Sequence, residues 1–286
     1  MNNHPLAIIT DSTSDLPPEL ITTYGIITVP IYVIWGDHQY RDRIDIQPKE
    51  FFQRLVSDPQ HPTTAVAGVP EFEQAIQEAI DKGAEEAILL TISGEMSGVF
   101  QTAQLAAKTA SIPVSVVDSR GTSMALGWQV LAAARAREAG NKMADILTRV
   151  DQVRKRMVLL ITLDTMEYLQ RGGRVGDLIK WVGNLLQVKP LIFFNNHTGK
   201  LDPIGLVRTH KALVELMFRK YLEKLQGAKN IHIAVLHGNV EEEAAVIADR
   251  VKSELNPIEL LIQQTGPALG VHCGPGTLAL CGYAEE

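Results

Sequence analysis

The feature that most constrains this chain is the alternation, through its first half, of short β-rich apolar runs with segments of helical period. LAIIT (Leu6 to Thr10), AILLTI (Ala87 to Ile92) and PVSVVDS (Pro113 to Ser119) read as strands. Between and after them lie segments with a helical stripe: PEFEQAIQEAIDKG places Phe72, Ile76 and Ile80 on one face and stops at Gly83. FQTAQLAAKTA, the Ala-rich stretch Thr122 to Ala139 closed by Gly140, and Ala144 to Arg156 supply further helices. Ser14 or Asp15 can cap another, starting near Pro17. IITVPIYVIW (Ile26 to Trp35) reads as one extended run. A β-α-β-α order of this kind builds a parallel sheet covered by helices.

The texture changes further on. KPLIFFNNHTGKLDPIGLV reads as two strands joined by a turn at His197 to Lys200, a hairpin rather than a crossover. Helices fit His210 to Leu225 and Glu241 to Leu255, with IHIAVLH, IELLIQQ and a final GTLALCGY as strands. The expectation is an α/β protein of two α/β domains, residues 1–154 with a mainly parallel sheet and residues 155–286 with a mixed sheet and helices.

Composition removes several classes of function. Of 286 residues 45% are hydrophobic, enough for two ordinary cores, and no run approaches the ~18 apolar residues of a membrane span. Met1 to Pro5 lacks an apolar signal region, so a cytoplasmic location is expected. The net charge of −6, with Lys and Arg spread along the chain, opposes a nucleic-acid partner. Cys273 and Cys281 are the only cysteines, too few for a disulfide framework or a zinc site. Asn196-His197-Thr198 matches a glycosylation sequon but, without a secretory signal, is read as a loop.

TISGEMSGVFQTA (Thr91 to Ala103) carries the most chemistry. A nucleophile elbow needs GxSxG, and Gly94-Glu95-Met96-Ser97-Gly98 has one residue too many before its serine. A Walker cradle needs a lysine after its last glycine, and none follows here. TDSTSD has Thr13 where an aspartyl phosphatase places its second aspartate. What remains is anion binding: a helix starting at Ser97 or Gly98 offers free N–H groups, a positive dipole end and the Ser97 hydroxyl. The competing reading is that Ser97 only caps its own helix.

Three more segments gather donors and glycines. TTAVAGVPEF puts Thr63 and Thr64 just ahead of a helix; LQRGGRVG sets Arg171 and Arg174 around a Gly-Gly turn; TGPALGVHCGPG holds four glycines, two prolines and His272. Singly, each reads as a turn or a cap. The other histidines, His61 and His210 among them, sit in no metal spacing and are assigned no role.

In order, TDSTSDLP, PTTAVAGVPEF, ISGEMSGVFQTA, VVDSRGTSMALG, LDTMEYLQRGGRVG, GLVRTHKAL and GPALGVHCGPGTLAL resemble the successive signatures of the DegV family, over nearly the whole chain. The resemblance implies a cytosolic, non-enzymatic fatty-acid-binding protein whose two α/β domains close over one acyl chain such as palmitate, the carboxylate lying at the domain interface. It places that carboxylate on Thr64 and Ser97, with His272 and Arg174 close by. It also implies presentation of the lipid to a separate fatty acid kinase, with Arg208 of GLVRT facing that partner, and requires neither cofactor nor metal. Thr64-Ala65-Val66-Ala67-Gly68 stands where the family often reads TSQPS, and Gly270-Val271-His272-Cys273-Gly274 where it reads GTHTG, so polar side chains beside the head group are missing.

Such a site would work through its apolar cavity. At ~0.8 kcal/mol per buried CH₂, a dozen methylenes contribute about 10 kcal/mol before ordering costs, while the carboxylate needs fixed donors to tolerate burial. GDLIKWVGNLL, with Trp181, is the candidate for a moving element or for transient membrane contact. The alternative from another class is a serine hydrolase or acyltransferase using Ser97 and His272.

Overall fold

The computed structural model describes residues 5–175 and 188–285; GDLIKWVGNLL, residues 176–186, lies outside the described residues. The chain divides into two units, Met1–Tyr32 with Ala65–Lys155 and Asn196–Gly199, and Val33–Thr64 with Arg156–Asn195 and Lys200–Glu286. Where the sequence reading has one boundary, after residue 154, the chain passes between units after Tyr32, Thr64, Lys155, Asn195 and Gly199. Residues 33–64 thus leave the first unit, and a hairpin tip enters it.

In the first unit β1 (Leu6–Asp11), β2 (Ile27–Val29), β6 (Glu86–Thr91) and β7 (Val114–Asp118) form a parallel sheet in the order β2-β1-β6-β7. Ile8, Ile9, Ile88, Leu89 and Leu90 are fully buried, which is why these strands read as unbroken apolar runs rather than alternating ones. The helices are α1 (Pro18–Tyr24), α3 (Val69–Asp81), α4 (Val99–Thr109), α5 (Met124–Glu138) and α6 (Met143–Arg156). α5 is buried on nearly all sides, as its small residues Ala125, Ala132, Ala133 and Ala134 allow. A short 3₁₀ turn, Ser12–Ser14, follows β1.

The second unit holds a mixed sheet, β10-β9-β8-β13-β11-β12, from β8 (Val158–Thr162), β9 (Lys189–Asn195), β10 (Lys200–Val207), β11 (Ile231–His237), β12 (Glu259–Gln264) and β13 (Leu278–Ala284). Only β11 and β12 run parallel; the other neighbours are antiparallel. Pro203, which cannot donate to a ladder, is tolerated because β10 is an edge strand, and the register shifts between Pro203 and Gly205. α8 (His210–Lys224) and α9 (Glu241–Leu255) cover a core that includes Leu160, Leu191, Phe218, Tyr221, Ile233 and Leu280.

Two expectations change. IITVPIYVIW is two strands, β2 and β3 (Tyr32–Trp35), broken at Pro30, whose ring removes a ladder donor. β3 joins β4 (His38–Arg41) and β5 (Thr63–Ala65) in the order β4-β3-β5, near α2 (Pro48–Ser57). TGPALGVHCGPG is not merely turns: Pro267 to Cys273 form helix α10, entered through Pro at its first position and left through Gly274 at φ +72°. Among the described residues no helix is long and apolar enough to cross a membrane.

Candidate functional site

Thr64 and His272 meet, although they are 208 positions apart in the chain: Thr64 Oγ1 lies 3.0 Å from His272 Nε2. Two packing arrangements put them there. α10 rests on the aromatic cluster of the second unit, where Trp35, Phe51, Phe52 and Val271 are buried together, and Trp35 and Phe51 meet edge to face at 5.6 Å. A Cβ on Gly270 would come within 2.5 Å of the Phe51 ring, so only glycine lets α10 sit this close. His272, two residues further along the helix, then meets Thr64 on β5.

The imidazole is also seated on backbone. α10 packs against α7 (Glu167–Arg171), and a Cβ on Gly172, just beyond α7, would overlap His272 Nδ1. Gly172 therefore serves the ring directly, and the left-handed turn belongs to Gly173, at φ +68°. Burial, with smaller contributions from the Arg174 guanidinium and His61, pulls the His272 pKa down to about 4, so the ring is neutral at neutral pH. Its Nδ1 is buried and has no hydrogen-bond partner among the described residues.

Arg174 follows α7, is exposed, and donates from Nη1 to the Gly172 carbonyl at 2.8 Å. It acts on His272 as charge at a distance. His61, to which the sequence reading assigned no role, belongs here as well: its ring is 5.5 Å from that of Tyr168, and it opposes protonation of His272. Only its place three residues before Thr64 could have drawn attention to it.

Ser97 stands in the first unit. The helix after it begins at Val99, one residue later than expected, with Gly98 as N-cap. Ser97 Oγ accepts a long hydrogen bond, 3.4 Å, from Val99 N–H, so the hydroxyl partly caps its own helix while its proton stays free to be donated. The Ser97 N–H is not available to an anion, since it donates to Ser93 O at 3.1 Å.

Arg208 is exposed between β10 and α8, next to Thr209, whose side chain caps α8 by accepting from Ala212 N–H at 3.2 Å. The neighbouring His210 is bonded by Asp164 at 2.9 Å and by Glu243 at 2.6 Å. Burial alone would lower the His210 pKa, but the two carboxylates outweigh it and raise it. Among the described residues no group of three or more His, Cys, Asp or Glu side chains could hold a metal ion.

The fold has counterparts among known proteins. A DegV domain-containing protein of Deinococcus radiodurans is 34% identical over 96% of this chain and 97% of its own. A DegV family protein of Thermus thermophilus, described by its fatty acid binding, superposes with a TM-score of 0.91 at 32% identity, covering 98% of this chain and 99% of the other. A stearic-acid-binding protein of Eubacterium ventriosum superposes with a TM-score of 0.89 at 25% identity, covering 98% of each chain. The family model described as "Uncharacterised protein, DegV family" matches residues 5–285. With that match running from the start of β1 past the end of β13, this chain belongs to the DegV family.

Proposed function

We propose that this protein binds one long-chain fatty acid, its acyl chain in an apolar cavity and its carboxylate received by the Thr64 and Ser97 hydroxyls, with His272 and Arg174 completing the site. The observation that carries the reading is the Thr64–His272 hydrogen bond on the Gly172 backbone. A neutral imidazole with its proton on Nε2 donates to Thr64 Oγ1, and the threonine must then direct its own proton elsewhere, toward a ligand oxygen. Arg174 supplies positive charge at a distance, which keeps the carboxylate ionised. The fatty-acid-binding relatives support the class of ligand.

The protein's role in this reading is that of a carrier. It presents the carboxylate to a separate fatty acid kinase, and Arg208, exposed between β10 and α8, anchors that partner. A serine hydrolase would need an imidazole oriented by a carboxylate; His272 instead engages Thr64, and no carboxylate among the described residues bonds its Nδ1.

Lipid extraction from the purified protein and from Thr64→Ala and Ser97→Ala tests the reading. Each variant removes one donor to a buried anion and should weaken binding by roughly 1–3 kcal/mol with the fold intact. Unchanged occupancy in both would place the carboxylate elsewhere. A covalent adduct of Ser97 with a fluorophosphonate probe would favour the hydrolase.

A further inference from the structure

The loop that carries Ser97 is organised by one fully buried side chain, Ser93. Its N–H donates to Gly121 O at 2.9 Å, and its carbonyl accepts from the N–H groups of Met96 at 3.0 Å and Ser97 at 3.1 Å. Its hydroxyl accepts from Glu95 N–H at 3.3 Å and donates to Gly199 O at 2.8 Å. Gly199 lies in the β9–β10 hairpin tip at φ +74°, and a Cβ there would overlap Ser93 Oγ. The tip is itself tethered, with Arg120 Nη1 donating to His197 O at 2.6 Å and Asn196 Nδ2 donating to Arg154 O.

The rest of the loop is pinned at strand ends. Asp11, at the end of β1, accepts from Ile92 N–H at 2.8 Å, and Asp118, at the end of β7, accepts from Gly94 N–H at 3.2 Å. Those two bonds hold the loop's entrance. Ser93 reaches forward to Ser97 through its carbonyl, and its hydroxyl is fixed by the bond to Gly199, 106 residues away, together with the bond from Glu95 N–H.

We infer that Ser93 and Gly199 are positioning residues for the fatty-acid carboxylate: the hairpin tip fixes the Ser93 hydroxyl, Ser93 fixes the Ser97 backbone, and the Ser97 hydroxyl is set for its ligand. This rests on Ser97 being a carboxylate donor. Neither positioning residue touches the lipid. Their effect on affinity passes through Ser97, whereas a role in stability alone would act independently of it.

A double-mutant cycle on palmitate affinity, with the full chain, separates these cases. Ser93→Ala and Ser97→Ala should each weaken binding roughly tenfold, and the double variant should be no weaker than Ser97→Ala alone. Ser93→Thr, which keeps the hydroxyl, should restore most of the affinity. Losses that multiply, to roughly a hundredfold, overturn the inference, as does full affinity in Ser93→Ala when Ser97→Ala is impaired. No loss in Ser97→Ala would instead overturn the reading of Ser97 as a donor. Should Ser93→Ala fail to fold, Gly199→Ala enters the same cycle from the hairpin tip with the same two outcomes.

Discussion

Thr64 and Ser97 are both hydroxyls shortly before a helix, yet the protein prepares them in different ways. Thr64 is held by a titratable side chain from a helix 208 residues away, and that side chain rests on a glycine. Ser97 is held by backbone, with its N–H on Ser93 and its oxygen on the Val99 N–H. The first arrangement depends on tertiary packing and on pH; the second depends on a loop pinned by neutral groups and by aspartates at strand ends. Two hydroxyls held in such different ways should respond to different perturbations.

The largest effect should come from removing both. Thr64→Ala combined with Ser97→Ala should lower fatty-acid affinity by about 2–6 kcal/mol, the sum of two lost donors to a buried charge. Isothermal titration with a defined fatty acid measures it, and a loss no greater than that of either single variant would show that only one hydroxyl holds the ligand.

Acid should separate the two next. The His272 pKa, about 4, lies below its usual 6.5, so the unfolded chain binds this proton first as pH falls. The stability contributed by the neutral ring is complete above pH 6.5 and is lost as pH falls toward 4, by about 2–3 kcal/mol. Denaturation at pH 7 and pH 4.5 should therefore show a smaller loss in His272→Gln than in the natural protein. Equal losses would mean that the ring is not held neutral by its surroundings.

A smaller change should follow from Gly172→Ala, whose methyl group must displace the imidazole at a cost of about 1–3 kcal/mol in stability. The Thr64 donor should weaken with it while amide exchange at Ser97 stays as before. Smallest of all, Arg174→Gln removes an exposed charge and should weaken fatty-acid binding by a few tenths of a kcal/mol. It should also move the His272 pKa upward, readable by NMR titration, because Arg174 is one of the groups holding it down.

The comparison also shows what a sequence can carry. The strand, loop and helix around Ser97 were legible because their cues are local: an apolar strand, two glycines and a helix start lie within thirteen residues. The strands around it were legible for the same reason, burial on both faces leaving LAIIT and AILLTI as unbroken runs. Thr64 and His272 came together only through resemblance, since nothing near either residue encodes a partner 208 positions away. α10 was hidden by its glycines, which look like turn residues until Phe51 is seen against Gly270. Residues 33–64 group with the second unit, and Pro30, which interrupts an apolar run, does not reveal that the chain enters another unit there. Ser93, in plain view beside Ser97, gained its meaning only from Gly199.

Native mass spectrometry of the purified protein tests the central claim most directly. A carrier with a buried apolar cavity should retain one long-chain fatty acid per chain, released on denaturation at the mass of a free acid. A spectrum of ligand-free protein that remains ligand-free after incubation with palmitate or stearate would contradict the account.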